Sequence, residues 1–211
     1  MYLEPFSRPD NDLGPYDYLE DTLEFFGASV SSSVAAKMGL ATYTILDPMW
    51  ADKALCLPNE TPLSCEYRRK MPSVAFILFG PNDVLHTDRD KYTAQLQRVV
   101  DDSLKRGVIP VLSTFSADPE GEYWWQAVEL NLAIVEVADQ YDVPLINLWA
   151  AARPLPEFGL DVDHVHMKNS GFVYLKFSTG HESWYGTSLR NLLSLVMLDR
   201  LYHSIIREAE S

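Results

Sequence analysis

The 211 residues carry 17 Lys and Arg against 30 Asp and Glu, a formal charge of -13, with 47% hydrophobic and 12% aromatic residues. Length and composition suit one globular domain, 1–211, with a sizeable core, while the negative balance repels phosphate backbones and anionic lipid surfaces and so disfavours nucleic acid as a partner. The longest apolar runs, "VAFILF" and "LLSLVML", are far shorter than the roughly 20 residues that span a bilayer, and "MYLEPFSRPD" lacks the basic and then apolar pattern of an export signal.

In chain order, "YDYLEDTLEFF" places Tyr18, Leu19, Leu23 and Phe26 at helical spacing. "SSSVAAKMG" follows, short and rich in small residues, with Ser31 or Ser32 as a helix N-cap, and "TYTILDP" reads as a strand tip or a loop. Cys56 and Cys65 then stand nine apart in "CLPNETPLSC". Two unrelated thiols are one reading, but the flanking prolines and polar loop composition favour a bridge, which implies an oxidising compartment. No His neighbours them, so a metal site is not expected.

From residue 72 the pattern becomes regular. "SVAFILF" is a buried strand ending at Gly80, "DKYTAQLQRVVDDSLKRG" a helix with Leu96, Val99, Val100 and Leu104 on one face, closed by Gly107. "VIPVLST" is a second strand, "YWWQAVELNLAIVEVADQY" a second helix and "VPLINL" a third strand. This alternation predicts an α/β fold, a mostly parallel sheet with helices on both faces, and ligands at the carboxyl ends of the strands. "TSLRNLLSLVMLDRLYHSIIREAE" closes the chain as a long amphipathic helix.

Two segments fall at that carboxyl edge. "LFGPNDV" follows the first strand; Gly-Pro-Asn-Asp is a turn on composition alone, yet the Asn82 amide is also a donor suited to an oxyanion. "DVDHVHMK" follows the third strand and gathers two aspartates and two of the five histidines. A carboxylate that fixes a histidine's tautomer makes it a general base, and Asp163 reaches His166 from three residues away; the alternative pairing is Asp161 with His164. A solvated polar loop is the plainer reading, and side chains adjacent on a loop converge poorly on a metal.

"G-x-N-D" at 80–83 and "D-x-x-H" at 163–166, ordered across alternating strands and helices, resemble the SGNH, or GDSL-like, hydrolases from about Leu13 to the final helix. The resemblance implies a three-layer α/β/α, flavodoxin-like fold and ester hydrolysis by a serine nucleophile. It implies His166 as general base, Asp163 as its orienting acid, Asn82 as side-chain donor to the oxyanion and Gly39, in "AAKMGLA", as backbone donor. Pro81 and His164 depart from the family pattern, His164 standing where glycine is frequent. No cofactor and no metal are expected; the substrate class is a small-molecule, carbohydrate or lipid ester, and Trp124, Trp125 and Trp184 are candidate cleft linings or ordinary packing.

The family's Gly-Asp-Ser nucleophile segment is not in these 211 residues. If the resemblance holds, the chain starts just after that segment, lacks the first strand, and derives from a secreted or extracytoplasmic parent. Loss of an interior strand exposes unpaired edges, so the 211 residues alone should aggregate or dimerise; a sharp reversible monomer melt would count against this. Ser7 has too little chain before it for a strained elbow. Ser29 in "GASVS" imitates the G-x-S-x-G elbow except that Ser31 replaces the second glycine. A binding module that keeps the cleft without the nucleophile is the other class of reading.

Overall fold

The computed structural model describes residues 11–27, 32–171 and 175–206. The chain divides into two compact units: one comprises Ser32–Phe115 and Pro119–Asn147, the other draws on Tyr2–Ser31, Ser116–Asp118 and Leu148–Ser211.

The second unit begins with a 3-10 segment, Gly14–Leu19, that runs into α1, Glu20–Gly27. Leu19 is fully buried whereas Tyr18 is exposed, so the predicted stripe shifts where the helix tightens. In the first unit, residues 32–40 form bends and turns rather than a helix. The expected N-cap at Ser32 therefore has no helix to cap; Ser33 Oγ instead accepts from Ala35 N at 3.0 Å, and Glu66 Oε2 accepts from Val34 N at 2.7 Å. "TYTILDP" is a loop, folded by Ile45 N donating to Ala41 O at 3.0 Å.

Helix α2, Pro62–Lys70, starts from a capping box in which Ser64 N donates to Thr61 Oγ1 and Thr61 N to Ser64 Oγ. The Cys56–Cys65 disulfide forms and ties this helix to the loop before it. Closing so short a loop restricts the unfolded chain by about 2–3 kcal/mol. Replacing both cysteines by serine is expected to cost about that much in a denaturant titration, and an unchanged midpoint would refute it.

The sheet consists of β1, Val74–Ile77, β2, Ile109–Ser113, and β3, Leu145–Ile146, all parallel and in the order β1-β2-β3. Helices α3, Arg89–Lys105, and α4, Trp124–Tyr141, supply the crossovers. Because strand order follows chain order, two right-handed crossovers run the same way and put α3 and α4 on one face of this sheet. The fold is thus α/β with a parallel sheet, as its sequence pattern predicts.

On α3, Tyr92, Leu96, Val99, Val100 and Ser103 are buried while Leu104 is 43% exposed. Leu104 lies about 80° around the helix from Leu96, off the buried stripe, and the small Ser103 takes the inward place by donating to Val99 O at 2.7 Å. Gly107, at φ 71°, ends the element as expected.

In the second unit, α5, Leu148–Ala152, and α6, Gly186–Leu201, follow, with α6 running into a π-helical turn, Tyr202–Ile206. The remainder of the predicted final helix lies outside the described residues. Leu148, Leu160, Leu175, Phe177 and Leu195 form this unit's core. Thr22 Oγ1 joins α1 to α6 by donating to Asp199 at 2.7 Å. No helix of the described residues is long and apolar enough to cross a membrane.

Candidate active site

Each unit holds one cluster of candidate residues. In the first, the chain leaving β1 turns sharply at Gly80, whose φ of 133° is open only to glycine and whose place is crowded: a Cβ there would overlap the Phe115 ring. Asp83 N and Val84 N return to Gly80 O at 2.8 and 3.0 Å, so the segment is the turn its composition suggests.

The Asp83 side chain is fully buried, with Oδ1 accepting from Thr42 N at 3.0 Å and Thr42 Oγ1 at 2.6 Å and Oδ2 accepting from Gly80 N at 3.1 Å. Burial pushes its carboxyl above the usual carboxylate range, and these three donors act against that rise. Asp83 thereby clamps the Gly39–Ile45 loop to the Asn82 turn.

Asn82 Nδ2 donates to Leu40 O at 2.8 Å. One amide proton is spent on orientation and the other stays available. Gly39 is exposed at φ 79°, with open space where a Cβ would point, and its N–H has no acceptor among the described residues. Asn82 and Gly39 thus each keep an N–H without an acceptor among the described residues.

In the second unit, residues 160–167 form a narrow loop closed by an antiparallel bridge between Leu160 and Met167, with Asp161 N donating to His166 O at 2.8 Å and Lys168 N to Gly159 O at 2.9 Å. Its base is held by a close approach in which a Cβ on Gly186 would overlap Gly159 O.

Inside this loop, Asp163 Oδ1 accepts from Val165 N at 3.0 Å and His166 N at 2.9 Å, while Oδ2 lies 2.6 Å from His166 Nδ1. The His166 ring bond first, then these amides, holds the Asp163 carboxyl down at about 2. With Nδ1 committed to a carboxylate, the neutral ring carries its lone pair on Nε2, on a side chain 78% exposed. An imidazole held in this way can accept a proton at Nε2.

The alternative pairing of Asp161 with His164 does not form. Asp161 Oδ1 accepts from Val162 N at 2.8 Å, and His164 Nδ1 instead meets Asp118 Oδ2 at 2.8 Å. Asp118, on the loop after β2, is not legible in the sequence as a partner, because nothing local links it to His164. Arg153 carries no sequence signal either: its guanidinium donates to Ala117 O at 2.6 Å and stacks over Trp149 and Phe158 at 4.7 and 4.4 Å. Ser7 and Ser29 lie outside the described residues. The sulfurs near Glu60 are tied in the disulfide and offer no thiolate to a metal.

The profile of the GDSL-like lipase/acylhydrolase family matches residues 10–172, a span containing Gly39, Asn82, Asp163 and His166. The chain belongs to that family. This lipase/acylhydrolase relative is similar in structure to a GDSL-like lipase from Bacteroides thetaiotaomicron, at 14% identity and TM-score 0.51 over 74% of this chain and 72% of that one. It is similar also to an acetyl xylan esterase, at 18% identity and TM-score 0.53 over 84% and 93% of the two chains. A lipase/acylhydrolase from Enterococcus faecalis aligns over 64% of each chain, with 19% identity and TM-score 0.47. At such identities the likeness speaks for the fold of this GDSL-like chain alone, and a comparison with curated protein sequences gives no match.

Proposed function

We propose that this domain hydrolyses a small-molecule, carbohydrate or lipid ester by acyl transfer, with His166 as general base and Asp163 as its orienting acid. The observation that supports this most is the 2.6 Å contact of Asp163 with His166 Nδ1, which leaves Nε2 for proton transfer. The nucleophile is a serine on a Gly-Asp-Ser segment that the 211 residues do not contain.

Its hydroxyl attacks the ester carbonyl as its proton passes to His166 Nε2. The developing oxyanion accepts hydrogen bonds from the second Asn82 Nδ2–H and from the Gly39 N–H. His166 then protonates the leaving alcohol, and in the second half takes a proton from the water that releases the acid. Asp163 stays ionised and steadies the imidazolium. The Cys56–Cys65 disulfide supports a secreted or extracytoplasmic place for the parent protein.

The test is turnover of p-nitrophenyl acetate by the 211-residue chain and by a form extended with an apolar strand ending in Gly-Asp-Ser. Turnover only in the extended form is the expected result. The missing Gly-Asp-Ser tripeptide also favours a second reading, a binding module with an idle acid-base pair; this predicts no turnover in either form. Turnover by the 211-residue chain itself would move the role to Ser29.

A further inference from the structure

We infer that His164 is a positioning residue for His166, acting as a clasp that fixes the Asp163–His166 loop to Asp118; the inference rests on the acid-base role proposed for His166. Backbone and side chain of His164 are at odds unless the clasp matters. Its φ of 57° is a left-handed conformation that a side chain with a Cβ rarely adopts and that suits glycine. The neighbours at the loop tip do not hold it by packing, since Val162 is 91% and Val165 51% exposed.

The His164 ring instead reaches Asp118 at 2.8 Å, where the carboxylate is only 16% exposed. That anchor is itself well fixed. Ser116 Oγ donates to Phe158 O at 2.8 Å, and Arg153, stacked between Trp149 and Phe158, donates to Ala117 O. The Arg153 guanidinium and the Asp118 carboxylate also attract one another.

The consequence falls on the neighbouring pair. Asp163 and His166 flank His164 by one and two residues, and Asp163 is oriented by the Val165 and His166 amides. A tip free to rotate about its base would break those two amide bonds first, and with them the 2.6 Å contact that sets the His166 tautomer. A hydrogen bond from His164 Nδ1 to an acceptor oxygen held in place limits that rotation.

The experiment uses the 211-residue chain and needs no turnover, so it stands or falls apart from the ester reading. Imidazole nitrogen shifts report the His166 tautomer, and amide exchange is followed at Val165 and His166. In H164G and D118A, exchange at both amides is expected to rise at least about tenfold, with His166 shifting from the Nδ1–H tautomer to a mixture. Asp118→Asn still accepts from His164 Nδ1, and is expected to keep wild-type exchange within about twofold. Melting temperatures should move by no more than about 2 °C, because the loop tip is exposed; a purely structural contact would show the reverse, a lowered melt with an unchanged tautomer. Unchanged tautomer and exchange in both H164G and D118A would overturn the inference.

Discussion

In a form carrying the nucleophile, His166→Ala lowers kcat by at least about 10³-fold, whereas His164→Ala costs no more than about tenfold. The difference follows from what each ring touches. His166 Nδ1 is held by Asp163, which also orders the loop through the Val165 and His166 amides, while His164 is turned toward Asp118. Asp163→Asn keeps the volume and one acceptor oxygen but can present N–H where His166 needs an acceptor. The wrong tautomer then leaves no lone pair on Nε2, and kcat falls by about 10²–10⁴-fold. Equal losses in H166A and H164A would refute the role assignment.

The pH dependence carries a definite sign. The folded pKa of Asp163 is lowered to about 2, below the roughly 3.9 of an unfolded aspartate. Its stabilising contribution is therefore present above the unfolded value and is lost as pH falls through about 2. Asp163 therefore stays ionised across the range in which an esterase is assayed.

The second large effect is on stability. Asp83→Ala removes the acceptor of Thr42 N, Thr42 Oγ1 and Gly80 N inside a fully buried site. Stranding two buried backbone N–H groups, while the Thr42 hydroxyl keeps Gln95 Oε1 as an acceptor, costs about 2–5 kcal/mol, seen as a melting temperature lower by roughly 10 °C. The same change should loosen the Gly39 loop, since Asp83 ties it to the Asn82 turn. A calorimetric melt of D83A within about 1 °C of wild type would show that the clamp is not needed.

Much of this architecture is legible in the residues alone. The runs at 74–77 and 109–113 read as strands because they are short, apolar and bounded by turn residues, although Val74, Ala75 and Phe76 of the first are only half-buried rather than buried, and α3 and α4 declare themselves by period. Asp163 with His166 is readable because a three-residue offset on a loop brings the side chains together without help from the fold.

Contacts between distant segments are not readable in this way. Asp118 meets His164, and Thr42 meets Asp83, only once separate loops have been placed. The same limit explains Leu104, whose spacing fits the stripe but whose angle leaves it outside, and Ser32, whose type suits a cap where no helix follows. The Gly-Pro-Asn-Asp turn shows why the two readings of that segment are not rivals. The turn is what orients Asn82, by delivering its amide to Leu40 O.

The most direct test of the central claim is the site of a phosphonate adduct, located by mass spectrometry in a form extended with the Gly-Asp-Ser segment. The acyl-transfer account predicts one adduct on that serine, formed no more than about tenfold more slowly in H164A and almost lost in H166A. An adduct on the peptide spanning Gly27 to Ser31, or labelling that is indifferent to His166, would contradict it.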